Sequence, residues 1–310
     1  MNRVLVTGAT GFVGRGTLAP LRARGFEVHA VSSRSGPTAA DGVHWHEADL
    51  LADSPAELMR AIAPTHLLHL AWYAEPGAFW SSSRNLGWVQ ASLRLLEAFA
   101  ESGGRRAVIA GTCAEYEWQD RTVCDETVTP CRPATLYGAS KHALHLIAEA
   151  YARLNDISLA WGRIFFVFGP GEDPARLGGS VARALALGEP APCSHGEQLR
   201  DFLYSEDLAD AFAALLDSGV EGAVNMASGR PVRMRDLVQA LAAAAGRPDL
   251  IQLGARPSNP DEPTELIAAV ARLQDEVGWA PPAPLAQRAA DTVAWWRGHL
   301  TDAARLPAPG

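Results

Sequence analysis

A short apolar run, Val4-Leu5-Val6-Thr7, passes into Gly8-Ala9-Thr10-Gly11-Phe12-Val13-Gly14 and then into a helical pattern through Leu18, Leu21 and Arg24. Few folds accommodate that order. Glycines between a buried strand and a helix start let the backbone come close to a ligand, and the N-terminal end of the helix dipole favours an anion there. The spacing is Gly-x-x-Gly-x-x-Gly, with Gly8, Thr10, Gly11, Phe12, Val13 and Gly14 as the candidate phosphate-binding turn. A strand-turn-helix unit of this kind needs a second parallel strand to cover it.

The rest of the chain supplies such strands. Val28 to Val31, Val43 to Trp45, His66 to Ala71, Ala107 to Gly111 and Ile157 to Trp161 are continuous apolar runs. Between them lie helical patterns from about Ser82 to Glu101 and from Thr135 to Leu154. Runs of this kind argue for a parallel sheet covered on both faces, an α/β doubly wound architecture. After Gly169-Pro170-Gly171 the pattern loosens into Gly- and Pro-containing loops around helices near Val181 to Leu187, Ser205 to Asp217 and Met234 to Ala245. The segment after Asp302 lacks periodicity and is expected to fray.

Lys141 is the only lysine of the 310 residues; every other fixed positive side-chain charge is an arginine. It follows Tyr137 by four positions, which puts both side chains on one face of a helix. A cation beside a phenol favours the phenolate, so the pair is expected to exchange a proton with an alcohol or carbonyl near neutral pH.

Composition narrows the partners. With 48% hydrophobic residues the chain can bury a substantial core, and its net charge of −8 disfavours nucleic acid or an anionic membrane as partner. An anionic substrate therefore needs local arginines. Cys113, Cys124, Cys131 and Cys193 show no metal-ligand spacing, which points to reduced thiols, no metal and a cytoplasmic protein.

The glycine turn, Tyr137-x-x-x-Lys141, Arg200-Asp201-Phe202-Leu203-Tyr204 and Asn225-Met226-Ala227-Ser228-Gly229 together resemble the extended short-chain dehydrogenase/reductases, in particular enzymes that modify nucleotide-activated sugars. The resemblance runs from Arg3 to about Trp296. It implies a Rossmann dinucleotide-binding domain over residues 1–168, with a strand and helix returning from about 200–225. It also implies a smaller substrate-binding lobe over 169–300, a tail over 301–310, and a homodimer formed by the two helices that carry Leu93, Leu96, Phe99, Leu144, Ile147 and Tyr151.

The resemblance further assigns residues. Thr112, four positions before Tyr116, joins Tyr137 and Lys141 as the catalytic group. Asp49 and Leu50 meet the adenine, Asp49 being equally placed to cap a following helix, and Leu70 and Ala71 pass the nicotinamide ribose, where Trp72 replaces a usual small residue. Ser33 and Arg34 stand where an acidic residue would hold the ribose of NAD, and serine with arginine favours the 2′-phosphate of NADP. Arg200 and Arg256 are expected at the diphosphate of a nucleotide-diphosphate sugar, with Arg183 as a weaker candidate. Phe166 occupies a position where the family has an asparagine.

Cys113 and Ala114 stand where the family's dehydratases carry acid-base groups, so elimination is not expected. Glu115, one residue displaced, is read as structural. The expected activity is NADP-dependent 4-ketoreduction of a nucleotide-linked 6-deoxy-4-keto-hexose. The alternatives are a 4-epimerase with retained NAD and a non-catalytic dinucleotide sensor.

Overall fold

A computed structural model describes residues 2–33, 42–118, 122–258 and 262–305. Seven parallel strands make the central sheet: Arg3–Thr7, Glu27–Ser32, Val43–Glu47, His66–His69, Arg106–Thr112, Ser158–Ile164 and Gly222–Met226. Across the sheet they run third, second, first, fourth, fifth, sixth, seventh. The order reverses between the first and fourth strands, which is where open sheets of this kind leave a crevice at the carboxyl ends.

The unbroken apolar runs follow from burial on both faces. Val4 and Val6 of the first strand face one cluster with Leu21, Phe212 and Leu216, whereas Leu5 faces the other with Met59, Leu96, Phe99, Leu144 and Trp161. The first cluster lies under α1 (Gly14–Ala23) and α6 (Ser205–Asp217); the second lies under α2 (Pro55–Ile62), α3 (Arg84–Glu101) and α4 (Leu136–Leu154). Each Leu or Phe side chain buried this way contributes about 1.5–3 kcal/mol relative to exposure.

A third cluster joins α5 (Leu177–Leu187), α7 (Met234–Ala245) and α8 (Leu285–Arg305) through Val181, Leu185, Leu237, Leu241, Val293 and Trp296. Two sequence expectations change here. The helix α8 continues through Arg305, so residues 301–305 are helical; 306–310 lie outside the described residues. On α3 and α4, Leu96, Phe99 and Leu144 turn into the core, and the exposed large apolar residues are Leu86, Leu136, Leu146, Ile147 and Leu154. No helix among the described residues is long and apolar enough to cross a membrane.

Candidate active site

The glycine turn closes on itself, with the amide of Gly11 donating to the carbonyl of Gly8 at 2.9 Å. Gly8 has φ +70°, and a Cβ there would lie 2.7 Å from the nitrogen of Ala71 and 2.9 Å from the carbonyl carbon of Leu70. A Cβ on Gly14 would lie 2.0 Å from the Gly8 oxygen. Only glycine fits either position. Val13, at the start of α1, offers no side-chain cap, and the amides of Arg15 and Gly16 donate to the carbonyls of Gly11 at 3.2 Å and Val13 at 3.1 Å. Thr10 and Gly11 are exposed, and Phe12 and Val13 are half-buried beside them. This cradle fits the pyrophosphate of a dinucleotide.

The adjoining strand ends are locked together. Thr7 Oγ1 lies 2.7 Å from His69 Nδ1, His69 Nε2 lies 2.8 Å from Ser92 Oγ, and the amide of Ala71 donates to Thr7 Oγ1 at 3.3 Å. Burial, with Lys141 adding to it, pushes the His69 imidazole down to about 3, so it stays neutral. Nothing in the sequence pattern marked this chain of contacts.

Leu50 is buried against the second cluster and Asp49 is exposed. Asp49 Oδ1 accepts the amide of Leu51 at 2.9 Å, and the cap of α2 is Ser54. Asp49 therefore shapes a turn and does not cap that helix. Ser33 is exposed beyond the second strand; Arg34 lies outside the described residues.

Tyr137 and Lys141 sit in the first two turns of α4, whose N-cap Thr135 accepts the amide of Gly138 at 3.1 Å. Thr112 ends the fifth strand and caps the short helical turn Cys113–Glu115, its hydroxyl accepting from the Ala114 amide at 3.2 Å. The same hydroxyl acts on the Tyr137 phenol, favouring its ionised form against burial. Capping and pairing with the tyrosine are thus combined in one side chain.

The expected acidification of the phenol by Lys141 is not what the geometry gives. Lys141 Nζ donates to the carbonyl of Ala110 at 2.7 Å and lies 3.8 Å from the centre of the Trp72 ring. Burial pushes the Tyr137 phenol up, opposed by Thr112. Burial also brings Lys141 down to about 7, with Glu115 opposing. The phenol is therefore protonated at neutral pH, and Lys141 is the group that titrates there. Trp72, itself held by a bond from its indole nitrogen to Asn85 Oδ1 at 2.8 Å, is the floor beneath that ammonium.

Aromatic side chains wall the tyrosine. Phe79 and Trp80 meet its ring edge to face at 4.8 and 5.8 Å between centres. Arg176 lies over Phe79 and, with Ser180, Cys193, Ser194 and Arg256, lines a neighbouring cleft of about 240 Å³. Arg176 was not singled out by the sequence, because one arginine in a loop carries no spacing signal. Arg256 joins it there, exposed; Arg183 is exposed on α5 and is not part of the cleft lining.

Arg200 is placed differently. It is 1% exposed, its guanidinium lies 5.3 Å from the centre of the Phe166 ring, and Nη2 lies 3.0 Å from Glu262 Oε1 without hydrogen-bond alignment. Its buried Nε has no partner among the described residues. Next to it, Asp201 Oδ1 accepts the amide of Ser228 at 2.7 Å and Oδ2 that of Gly229 at 3.0 Å, which ties the two late sequence motifs together.

Residues 4–227 match the family model described as the NAD dependent epimerase/dehydratase family. This chain belongs to that family. The chain is 27% identical over 96% of its length, and 76% of the relative's, to UDP-glucuronate 4-epimerase 2 of Arabidopsis thaliana. It is also 27% identical, over 76% of its length and 88% of the relative's, to dTDP-6-deoxy-L-talose 4-dehydrogenase (NAD(+)) of Aggregatibacter actinomycetemcomitans. Among solved structures, the UDP-glucose 4-epimerase of Thermus thermophilus in complex with NAD superposes with a TM-score of 0.83. That similarity is 28% identity over 96% of this chain and 99% of that one. The family member described here is therefore an enzyme of the NAD-dependent, extended short-chain dehydrogenase/reductase type, acting in nucleotide-sugar chemistry.

Proposed function

We propose that the protein reduces the 4-keto group of a nucleotide-diphosphate-linked 6-deoxyhexose, with NADP as its dinucleotide. The observation that carries this is the Tyr137 phenol, kept protonated by burial, with the Thr112 hydroxyl acting on it, beside the crevice of the sheet. Reduction of a ketone needs a proton for its oxygen, whereas oxidation of an alcohol starts from a phenolate. When bound, the nicotinamide supplies the hydride.

The chain's own residues do the rest. Tyr137 gives its proton to the carbonyl oxygen, and Thr112 holds that oxygen in line. Lys141 meets the ribose hydroxyls and, titrating near neutrality, helps return a proton to the phenol. Gly8, Thr10, Gly11, Phe12, Val13 and Gly14 cradle the pyrophosphate; Asp49 and Leu50 border the adenine; Leu70 and Ala71 border the nicotinamide ribose. Ser33 and Arg34, with no acidic residue after the second strand, favour the 2′-phosphate. Arg176 and Arg256 in the cleft, with Arg200 beneath Phe166, supply positive charge for the diphosphate.

Phe79 and Trp80 give the sugar an apolar wall that suits a C6 methyl group. The relative named as a 4-dehydrogenase of a dTDP-linked 6-deoxyhexose catalyses redox chemistry at the same carbon. Cys113 and Ala114 bring no carboxyl group to the site, and burial keeps the Cys113 thiol protonated, so elimination has no base there. The two-lobe division and a cytoplasmic homodimer belong to the same reading.

Purified protein given NADPH and a nucleotide-linked 4-keto-6-deoxyhexose should consume the two in equal amounts. A 4-epimerase is the second reading, favoured by the relatives named as such. Protein that carries tightly held NAD and interconverts C4 epimers without net dinucleotide consumption would replace the first reading with the second.

A further inference from the structure

Beneath the catalytic face lies a carboxylate that the proposed reaction does not use. Glu115 is fully buried, and each of its oxygens is engaged. Oε1 accepts the backbone amide of Thr112 at 2.8 Å and the indole nitrogen of Trp161 at 2.8 Å; Oε2 accepts Nε of Arg163 at 3.0 Å. A buried carboxylate costs several kcal/mol unless paired and hydrogen-bonded, and this one is both. Room for it is made at Gly111, where a Cβ would lie 2.1 Å from the Trp161 nitrogen and 2.7 Å from Glu115 Oε1.

We propose that Glu115 is a positioning residue for the reaction, holding Thr112 through its backbone amide and acting on Lys141 through its charge. The proposal rests on the reading that Thr112, Tyr137 and Lys141 form the reactive group. One geometric feature carries it and one electrostatic feature supports it. The first is direct: the Thr112 amide has Glu115 as its acceptor, so moving the carboxylate moves the hydroxyl that faces Tyr137. The second is electrostatic. Around Lys141 stand the carbonyl of Ala110, the ring of Trp72, neutral His69 and Glu115, and among the described residues Glu115 is the acid that favours the ammonium.

Several ionisable groups face Glu115 itself. Arg163 is the permanent cation, and it also reaches the Tyr116 hydroxyl at 3.0 Å. His145, 3.9 Å from Oε2 and stacked on Trp161, is pushed down to about 3 by burial, and His142 is lowered by the same cause, so both are neutral. The Cys113 and Cys131 thiols are pushed up by burial and stay protonated. Glu115, His142 and His145 could together meet a cation, but Arg163 already occupies that role.

Because Lys141 is the only lysine, protein grown with labelled lysine gives one side-chain NMR signal, whose titration needs neither substrate nor dinucleotide. The wild-type midpoint is expected at about 7. Glu115→Gln should move it about one pH unit lower, the size expected for losing one nearby opposite charge. Glu115→Asp keeps the charge but withdraws its reach, so the midpoint should stay while kcat falls about a hundredfold through misplacement of Thr112.

Should Glu115→Gln fail to fold because Arg163 is stranded, Glu115→Gln with Arg163→Gln removes both charges and carries the same titration test. A lysine midpoint unmoved in the folded charge-free variant, or full turnover in Glu115→Asp, overturns the proposal. Tyr137→Phe with undiminished turnover would instead sink the assigned reaction and leave the lysine titration standing.

Discussion

The glycine turn at the start of the sheet and the loop after the fifth strand both hold backbone in a fixed place beside the proposed site, and they do so by opposite means. The turn removes matter: Gly8 and Gly14 leave no Cβ where the Ala71 nitrogen and the Gly8 oxygen already stand. The loop adds charge: Thr112 is fixed from below by a buried carboxylate, and that carboxylate by an indole and a guanidinium. A steric solution is local and tolerates no substitution. An electrostatic one is shared among distant residues, so it can be tuned, and its failure shows first as a changed titration.

The largest effect that tests this contrast belongs to the loop. Tyr137→Phe removes the proton donor and should lower kcat by about 10²–10⁴ while dinucleotide affinity holds, as read by steady-state turnover beside fluorescence titration. Equal losses in both would mean that the tyrosine supports binding, not proton transfer.

Next comes the turn. Gly14→Ala places a methyl 2.0 Å from the Gly8 oxygen, so the helix start must shift. Dinucleotide affinity should fall at least about tenfold and stability by about 1–3 kcal/mol, by calorimetry. An unimpaired Gly14→Ala protein would erase the steric half of the comparison.

A third test uses a buried acid outside both regions as a reference. Glu172, before α5, is 3% exposed, with Oε2 unpartnered, and burial pushes its carboxyl up to about 8. An acid whose folded value is raised stabilises fully below its unfolded value and loses that contribution as pH rises through the folded one. Between roughly pH 4.5 and 8 the wild type should therefore lose melting temperature relative to Glu172→Gln, by a few degrees in thermal denaturation. A constant gap across that range would show that Glu172 is ionised throughout.

The smallest effect on chemistry is expected at the surface of α3 and α4. Ile147→Glu, on an exposed apolar position, should convert dimer to monomer in sedimentation while turnover per chain is retained. Wild-type protein sedimenting as a monomer would remove the proposed assembly without touching either region.

How much of this was legible in advance depends on how far the information travels along the chain. The strand-turn-helix start, the spacing of Tyr137 and Lys141, and the helices Ser205–Asp217 and Met234–Ala245 are local patterns, and the structure places them as read. Glu115 was a harder case. Thr112-x-x-Glu115 has the form of a capping box, a signal that turns the glutamate back toward the Thr112 amide, whereas its place one residue off the family's acidic position says only that it is structural.

Order along the chain by itself determined the alternation of buried strands and helices, the glycine turn and the spacing of Tyr137 and Lys141, because periodicity and glycine sterics act over a few residues. Only tertiary structure decided the state of those side chains. It buried the Tyr137 phenol so that it keeps its proton, set Lys141 on Trp72 near its titration point, and covered Arg200 beneath Phe166. Desolvation and charge pairing depend on neighbours brought together from dozens of residues apart, and no spacing rule encodes them.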